Sequence, residues 1–323
     1  MRTMVATRFG GYETLKLIDA PKPRAVGSGA LVRVTAAGVT PLEHTILVGG
    51  HPRAKPPLVL GNEGAGVVEE AGASGLAIGS RVAFTGAYGV AEGGSWQDYL
   101  VVRADDLMPI PDAIPDALAA SLPVAYLTAA IGLAQAGFAP GQTVFAPAIG
   151  GSVGNAAYQL AKALGAGMAI STAGSAGKVA RARDLGFDNV IDLGSEGIGD
   201  GVRRLTDGRG VDVVIDGLGG PFTGAALGAL ALHGTLIALG YSAGRAAGID
   251  VTDLIWKRAR MFGFALVDQK RAVKLDAWKN ITALILDGAI APIVARTYPL
   301  EEAAEALRHL HEDRPFGKIV LEL

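Results

Sequence analysis

The 323-residue chain contains no cysteine. That absence excludes a disulfide framework, a thiolate nucleophile and a thiolate-bound zinc centre together. Charge is also scarce, with Asp, Glu, Lys and Arg making up 19% of residues against a usual ~25%. With 29 basic residues against 31 acidic ones the net charge is −2, so no basic excess draws phosphate backbones and no nucleic-acid partner is expected. The first residues, MRTMVATRFGGYETLKLID, alternate polar and apolar types and lack the apolar centre of a secretion signal.

One stretch, Ala117 to Ala161, lacks charge altogether and is long enough to raise the question of a membrane span. Pro123 and Pro140 interrupt it, Ser, Thr, Gln and Asn are scattered through it, and the preceding flank is acidic at Asp112 and Asp116 rather than basic. We read it as buried core, expect no membrane contact, and take a cytoplasmic location by default.

What is present is apolar: 50% hydrophobic residues and 46 glycines, in a chain long enough for about two domains at roughly 150 residues each. Up to about residue 110, short runs rich in Val, Ile and Thr are separated by Gly or Pro (TMVATRF, TLKLID, ALVRVTAAG, GAGVVEEAG, SRVAFTG, WQDYLVV), the pattern of a mostly antiparallel β domain. From about Pro123 onward, apolar runs alternate with segments of helical period, as in βαβ units on a parallel sheet. The expected strands are Thr143–Ala146, Met168–Ser171, Asn189–Asp192, Val211–Asp216, Thr235–Leu239 and Met261–Leu266. Ala156, Ala157, Leu160, Ala161 and Leu164 share one helix face, and Gly165 stands where a C-terminal cap is expected. Two late helices follow, WKNITALILDGAIAP ending at Gly288 and LEEAAEALRHLHE, before the closing strand KIVLEL.

Chemistry concentrates in QTVFAPAIGGSVGNAAYQLAKALGA, where Gly150, Gly151 and Gly154 lie between a buried strand and an apolar-faced helix. Glycines let the backbone turn tightly and approach a pyrophosphate, whose charge then sits at the helix N-terminus. About 20 residues further on, where an NAD enzyme keeps a carboxylate for the ribose 2′-hydroxyl, the chain reads Ser171, Thr172, Ala173, Gly174, Ser175. Hydroxyls followed by Lys178 suit a 2′-phosphate, so NADPH is expected over NADH; Arg181 and Arg183 are left to the solvated helix face. No paired carboxylate stands in a recognisable acid/base motif.

These residues resemble a known family. AAGVTPLEHTILVGG, PLVLGNEGAGVV, SWQDYLVV, LPVAYLTA, GGSVGNAAYQLAK, STAGSAGK, VDVVIDGLGG, GTLIALGYSAG and FGKIVLEL follow the order and spacing of zinc-independent medium-chain dehydrogenases/reductases, close to the quinone oxidoreductases of the zeta-crystallin type. The resemblance covers essentially the whole chain. It implies an α/β protein in which a GroES-like domain (1–122 and 266–323) carries the substrate side and a Rossmann domain (123–265), a doubly wound parallel sheet, binds the dinucleotide. Substrate and nicotinamide would meet in the cleft between them.

The same resemblance implies that Thr40 and Pro41 lie against the nicotinamide ribose and Thr128 on the nicotinamide side. Gly150, Gly151, Ser152, Val153 and Gly154 would hold the pyrophosphate, and Ser171, Thr172, Ser175 and Lys178 would surround the adenosine ribose. Gly240, Tyr241 and Ser242 would line the nicotinamide end, with Phe264, Phe316 and Lys318 closing the cleft. Thr40, Tyr126 and Tyr241 are the candidates on the catalytic side. Zinc-dependent relatives place Cys, His and Cys at positions that are here Thr40, Asn62 and Val124 or Ala125, so no metal is expected. Departures from the family pattern include Tyr126 in place of a small residue, Ser152 in place of a turn glycine, Ile149, and Leu193 where a Tyr is common.

Without a Lewis acid, an activated acceptor is favoured, which points to a quinone or an α,β-unsaturated carbonyl. Tyr126, Tyr241, His44 and water all stand as proton sources. An enoyl-thioester or alkenal double-bond reductase is the alternative enzyme, and an NADPH-binding crystallin-like or RNA-associated protein with little turnover the alternative outside enzymes. The family implies a homodimer, with GTLIALGYSAG the expected contact segment.

Overall fold

The computed structural model describes residues 1–323, which divide into two compact units: Met1–Val124 with Val267–Leu286 and Pro292–Leu323, and Ala125–Leu266 with Asp287–Ala291.

The first unit is built on strand Gly29–Val39. Its alternation of Ala, Leu and Val with one exposed Arg33 leaves almost every side chain buried. Strand Glu63–Glu70 pairs along one edge; on the other, Gly29–Arg33 pair with Tyr99–Arg103 and Ala36–Val39 with Ile319–Glu322. Register shifts at Leu31/Val32 and Val34/Ala36 bend the strand so that it serves three partners. Outward from it lie Arg81–Thr85 and Leu107–Pro109 on one side and Lys318–Glu322 and Val294–Pro299 on the other, all antiparallel except the last pair. The C-terminal strand therefore lies beside the N-terminal ones, and Ile319 and Leu321 share a core with Val32, Val34, Phe84 and Trp96. Helix Arg271–Leu286 is tied to this unit by Lys274 Nζ on Asp106 Oδ1 (2.6 Å, both buried) and by Trp278 Nε1 donating to the Pro109 carbonyl (2.7 Å).

The second unit is a six-stranded parallel sheet in the order Val190–Asp192, Met168–Ala173, Thr143–Phe145, Val211–Asp216, Leu230–Ala238, Arg260–Gly263. Numbered along the chain this is 3-2-1-4-5-6, the doubly wound order whose reversal lies beside the first strand. The helix after that strand, Ser152–Ala163, ends at Leu164, and Gly165 takes φ +88° beyond it, as the sequence leads one to expect. Asp287–Ala291 belongs to this unit because the Ala291 N–H donates to Gln159 Oε1 (2.6 Å) and the Ala291 carbonyl accepts from Gln159 Nε2 (3.1 Å).

Several boundaries differ from the sequence reading. The fifth strand begins at Leu230, not Thr235, and the sixth stops at Gly263, with Leu266 opening a 3-10 turn. The penultimate helix starts at Arg271 and not at Trp278, because its first turns, charged at Arg271, Lys274 and Asp276, lack the apolar run of its second half. Leu300–Asp313 is not one even helix: a 3-10 turn, an α-helix Ala303–Arg308 and a wider turn His309–Asp313 follow one another until Arg314 stops them at φ +50°. The charge-free stretch is broken into helix Pro123–Ala136, strand Thr143–Phe145 and helix Ser152–Ala163, and no helix is long and apolar enough to cross a membrane.

Candidate active site

In the second unit the turn between strand Thr143–Phe145 and helix Ser152–Ala163 has an unusual backbone. Ala148 adopts φ +65°, which lets the Gly151 N–H close back on the Ala148 carbonyl at 2.9 Å. A Cβ at Gly154 would overlap the carbonyl oxygens of Pro147 and Ala148, so the helix packs this closely only because that position is glycine. Gly151 is the N-cap and offers no side chain to the first helical N–H groups, which keeps that end of the helix open to an anion. Ser152 and Val153 are the first helical residues, both half-buried. Ile149 is fully buried beneath the turn and anchors it.

The neighbouring strand end corrects the expectation for Ser171 and Thr172. Neither hydroxyl faces outward. Ser171 is fully buried with Oγ on the Ala146 carbonyl (2.5 Å); Thr172 is 1% exposed, and its Oγ1 accepts from the Ala148 N–H (2.9 Å) while its carbonyl accepts from Ile149 N–H (2.9 Å). Both brace the glycine turn from behind. The outward residues are Gly174 and Ser175, where Ser175 caps helix Ala176–Asp184 and Lys178 lies in the first turn. Leu193 continues past the third strand, its N–H on the Ala173 carbonyl (2.9 Å).

At the ends of the fourth and fifth strands a residue that the sequence reading passed over organises the backbone. Asp216, fully buried, accepts from the Leu218 and Gly219 N–H groups (2.9 and 3.1 Å) through Oδ1 and from Thr223 Oγ1 (2.5 Å) through Oδ2. Its signal was there in the sequence: an Asp closing an apolar strand and followed by Gly-Leu-Gly-Gly. The loop it holds packs against Gly240, whose Cβ position is filled by the Gly217 backbone, and Ser242 Oγ reaches the Gly217 carbonyl (3.3 Å). Tyr241 is exposed, with the Arg245 guanidinium over its ring. Phe264 is half-buried just past the last strand, its N–H on the Ala238 carbonyl (2.9 Å).

Helix Pro123–Ala136 carries Thr128, buried, and Tyr126, 4% exposed. The Tyr126 hydroxyl accepts from Gln159 Nε2 (3.3 Å), which also bonds Asn155 Oδ1 (2.6 Å). Burial raises the phenol's pKa above its ordinary value, so Tyr126 keeps its proton and is a poor acid.

The first unit holds a buried polar cluster of Thr40, Glu43, Glu63 and Lys318. Thr40 is the N-cap of helix Pro41–Leu47, with Pro41 exposed in the first turn. The Leu42 N–H donates to Thr40 Oγ1 (3.2 Å), and Glu43 Oε2 accepts from both the N–H (2.6 Å) and the hydroxyl (2.5 Å) of Thr40. Glu43 Oε1 accepts from the Asn62 N–H (3.2 Å). Beside it Glu63, with no exposed surface, accepts from the Val124 N–H (2.7 Å) and forms an ion pair with Lys318, which is 3% exposed. A Cβ at Gly38 would overlap the Glu63 carboxylate, so glycine is needed there. Burial pushes the Glu43 carboxyl up to about 7, against the opposing pull of the Thr40 hydrogen bonds and the Lys318 charge.

Lys318 was expected to close a cleft; it is instead turned inward against Glu63, because a buried carboxylate requires a counter-charge. Phe316 is half-buried two residues earlier. Glu63 also acts on Glu43 as a second carboxylate, a neighbour that no acid/base motif in the sequence announces. His44, one residue on from Glu43, stacks on His311 with ring centroids 3.5 Å apart, and burial lowers its pKa, so it is neutral near pH 7.

Of the positions where the resemblance puts the metal ligands of zinc-dependent relatives (Thr40, Asn62, and Val124 or Ala125), Thr40, Asn62 and Val124 are each hydrogen-bonded to Glu43 or Glu63. A hydroxyl, an amide and a valine do not supply the thiolate and imidazole donors of such a zinc site, and no group of three His, Asp or Glu side chains is placed to hold a metal ion.

Residues 27–112 match the family model for the alcohol dehydrogenase GroES-like domain and residues 152–283 that for zinc-binding dehydrogenase. A phenolphthiocerol/phthiocerol polyketide synthase of Mycobacterium tuberculosis is 32% identical over 97% of the chain, which spans only 14% of that protein's length. The quinone oxidoreductase of Pseudomonas syringae pv. Tomato DC3000 superposes with TM-score 0.90 at 28% identity, covering 100% of this chain and 99% of that one. A mycobacterial protein solved in complex with NADPH superposes equally well, with TM-score 0.90 at 28% identity and 100% of both chains covered.

Proposed function

Because the chain belongs to the medium-chain dehydrogenase/reductase superfamily, quinone oxidoreductase type, we propose that it is an NADPH-dependent, zinc-independent reductase of quinones or other activated α,β-unsaturated carbonyls. One observation supports the reading: Thr40, Asn62 and Val124, at the positions where the resemblance puts the ligands of a catalytic metal, are hydrogen-bonded to the carboxylates of a buried carboxylate–lysine centre. An unactivated ketone needs a Lewis acid on its oxygen, whereas a quinone or enone accepts hydride without one.

NADPH fits the residues present. The open N-terminus of helix Ser152–Ala163, reached over Gly150, Gly151 and Gly154, would hold the pyrophosphate, and Ser175 and Lys178 the 2′-phosphate, at a strand end that offers no carboxylate. When bound, the cofactor supplies the hydride. The protein's contribution is positioning and the handling of charge on the acceptor oxygen. Thr128, Gly240, Tyr241, Ser242, Phe264 and Phe316 are proposed to shape the nicotinamide end, and Tyr126 to steady helix Ser152–Ala163 through Gln159 rather than to donate a proton.

The similarity to a polyketide synthase favours a second reading, reduction of an enoyl thioester. NADPH oxidation followed with an ortho-naphthoquinone, a hexenal and a crotonyl thioester separates the branches: fastest turnover with the quinone supports the first, with the thioester the second. Tight NADPH binding without oxidation by any of them contradicts both.

We also propose a homodimer, through a different segment from the one expected. Thr235–Ala238 of GTLIALGYSAG is flanked by strands on both sides, so its backbone has no free edge; on this side of the sheet the free edge belongs to Arg260–Gly263. Next to it helix Val251–Lys257 buries nothing and exposes Val251, Ile255 and Trp256, the last at 76%. Apolar side chains beside an unpaired strand fit a second copy of the same edge. Trp256→Glu is expected to sediment as a monomer at concentrations where the parent is a dimer; equal sedimentation of the two would refute this edge.

A further inference from the structure

Glu43 and Thr40 form a capping box, a device that ordinarily sits at a solvated helix end. Here Glu43 is 1% exposed, and the charged groups acting on it from the surrounding strands are Glu63 and Lys318. The hydrogen-bond arithmetic around Thr40 has two solutions. While Glu43 is ionised, the single Thr40 hydroxyl proton is held on Glu43 Oε2. Once Oε2 carries a proton, the carboxyl donates to Thr40 Oγ1, which still accepts from the Leu42 N–H, and the Thr40 proton is released to another acceptor.

We propose that Thr40 and Glu43 are a two-group proton relay, in which Thr40 is the catalytic residue and Glu43 the positioning residue that recharges it. The inference rests on the reductase reading above and names its proton source. After hydride has reached the acceptor, the Thr40 Oγ1–H bond breaks as an O–H bond forms on the acceptor's quinol or enolate oxygen. In the same step the Glu43 Oε2 proton passes to Thr40 Oγ1. Glu43 is left as a carboxylate facing Lys318, with the Thr40 and Asn62 N–H groups directed at it, and water returns the proton after product leaves. No electrons move beyond the hydride. Burial holds the Glu43 carboxyl at about 7, so both hydrogen-bond arrangements are populated near neutral pH.

The test compares the full-length chain with Glu43→Gln, Thr40→Val and Thr40→Ser. For the parent, kcat with a hexenal is expected to fall about tenfold per pH unit above about 7 and to show a solvent deuterium isotope effect. Glu43→Gln and Thr40→Val are expected to lower kcat on the order of 100-fold, with little change in KM and a flat profile over that range, while Thr40→Ser recovers most of the rate. In the ligand-free protein, isotope-edited infrared spectra with labelled glutamate are expected to show a protonated carboxyl titrating near pH 7 that Glu43→Gln removes. A folded Glu43→Gln protein with the parental pH profile and isotope effect overturns the relay, as does the absence of that infrared titration. A parent that consumes no NADPH with either hexenal or quinone overturns the reductase reading, and the relay with it.

Discussion

Lys318→Met is expected to destabilise the first unit by about 3–5 kcal/mol, the penalty for removing one member of a buried ion pair. Glu63 has no exposed surface, its only counter-charge is the Lys318 ammonium, and Glu43 adds a second carboxyl to the same pocket. Without the ammonium the chain must bury the Glu63 carboxylate with no partner for its charge, which costs several kcal/mol. Pairing the change with Glu63→Gln removes the orphaned charge, so the double variant is expected to recover most of the loss. Unfolding midpoints for the two single variants and the double variant read this out as a coupling energy. Additive losses, or a Lys318→Met loss below about 1 kcal/mol, would show that the centre is solvated in solution and not the closed cluster described here.

Gly154→Val is expected to weaken NADPH binding by at least about 100-fold, which is about 2.7 kcal/mol. The added Cβ overlaps the Pro147 and Ala148 carbonyl oxygens, which are backbone and move only if the whole turn moves. That turn is fastened from behind by Thr172 and from below by Ile149, so the strain falls on the helix N-terminus that faces the pyrophosphate. Gly248→Ala is the control, because no heavy atom lies within 4 Å of its Cβ position. Titration of NADPH fluorescence compares the three proteins. Parental affinity in Gly154→Val would mean that the pyrophosphate is held elsewhere.

How much of this was legible in the sequence depends on the range of the interactions involved. The Rossmann strands and the Ser152–Ala163 helix could be read because each is set by local apolar period, glycine turns and a glycine stop. Ser171 and Thr172 were correctly placed at the end of the second strand but misjudged in direction: in a strand buried on both faces, a hydroxyl residue bonds its own sheet before it reaches a ligand. The spacing of Thr40 and Glu43 carried the capping box openly, yet nothing local signals that the box would be buried. The Glu63–Lys318 pair was beyond reach, since the C-terminal strand meets Gly29–Val39 only through the sheet order. GTLIALG reads in the sequence equally as a contact segment or as a strand interior, and only its pairing with strands on both sides decides between them.

If the carboxylate–lysine centre replaces the metal of zinc-dependent relatives, the chain reduces an activated acceptor without one. The most direct measurement is NADPH consumption with an ortho-naphthoquinone by protein dialysed against a strong chelator, with zinc content determined on the same sample. An unchanged rate at zinc contents far below one per chain, with no gain on adding zinc, is expected. A rate that disappears on chelation and returns with zinc would contradict metal-free reduction.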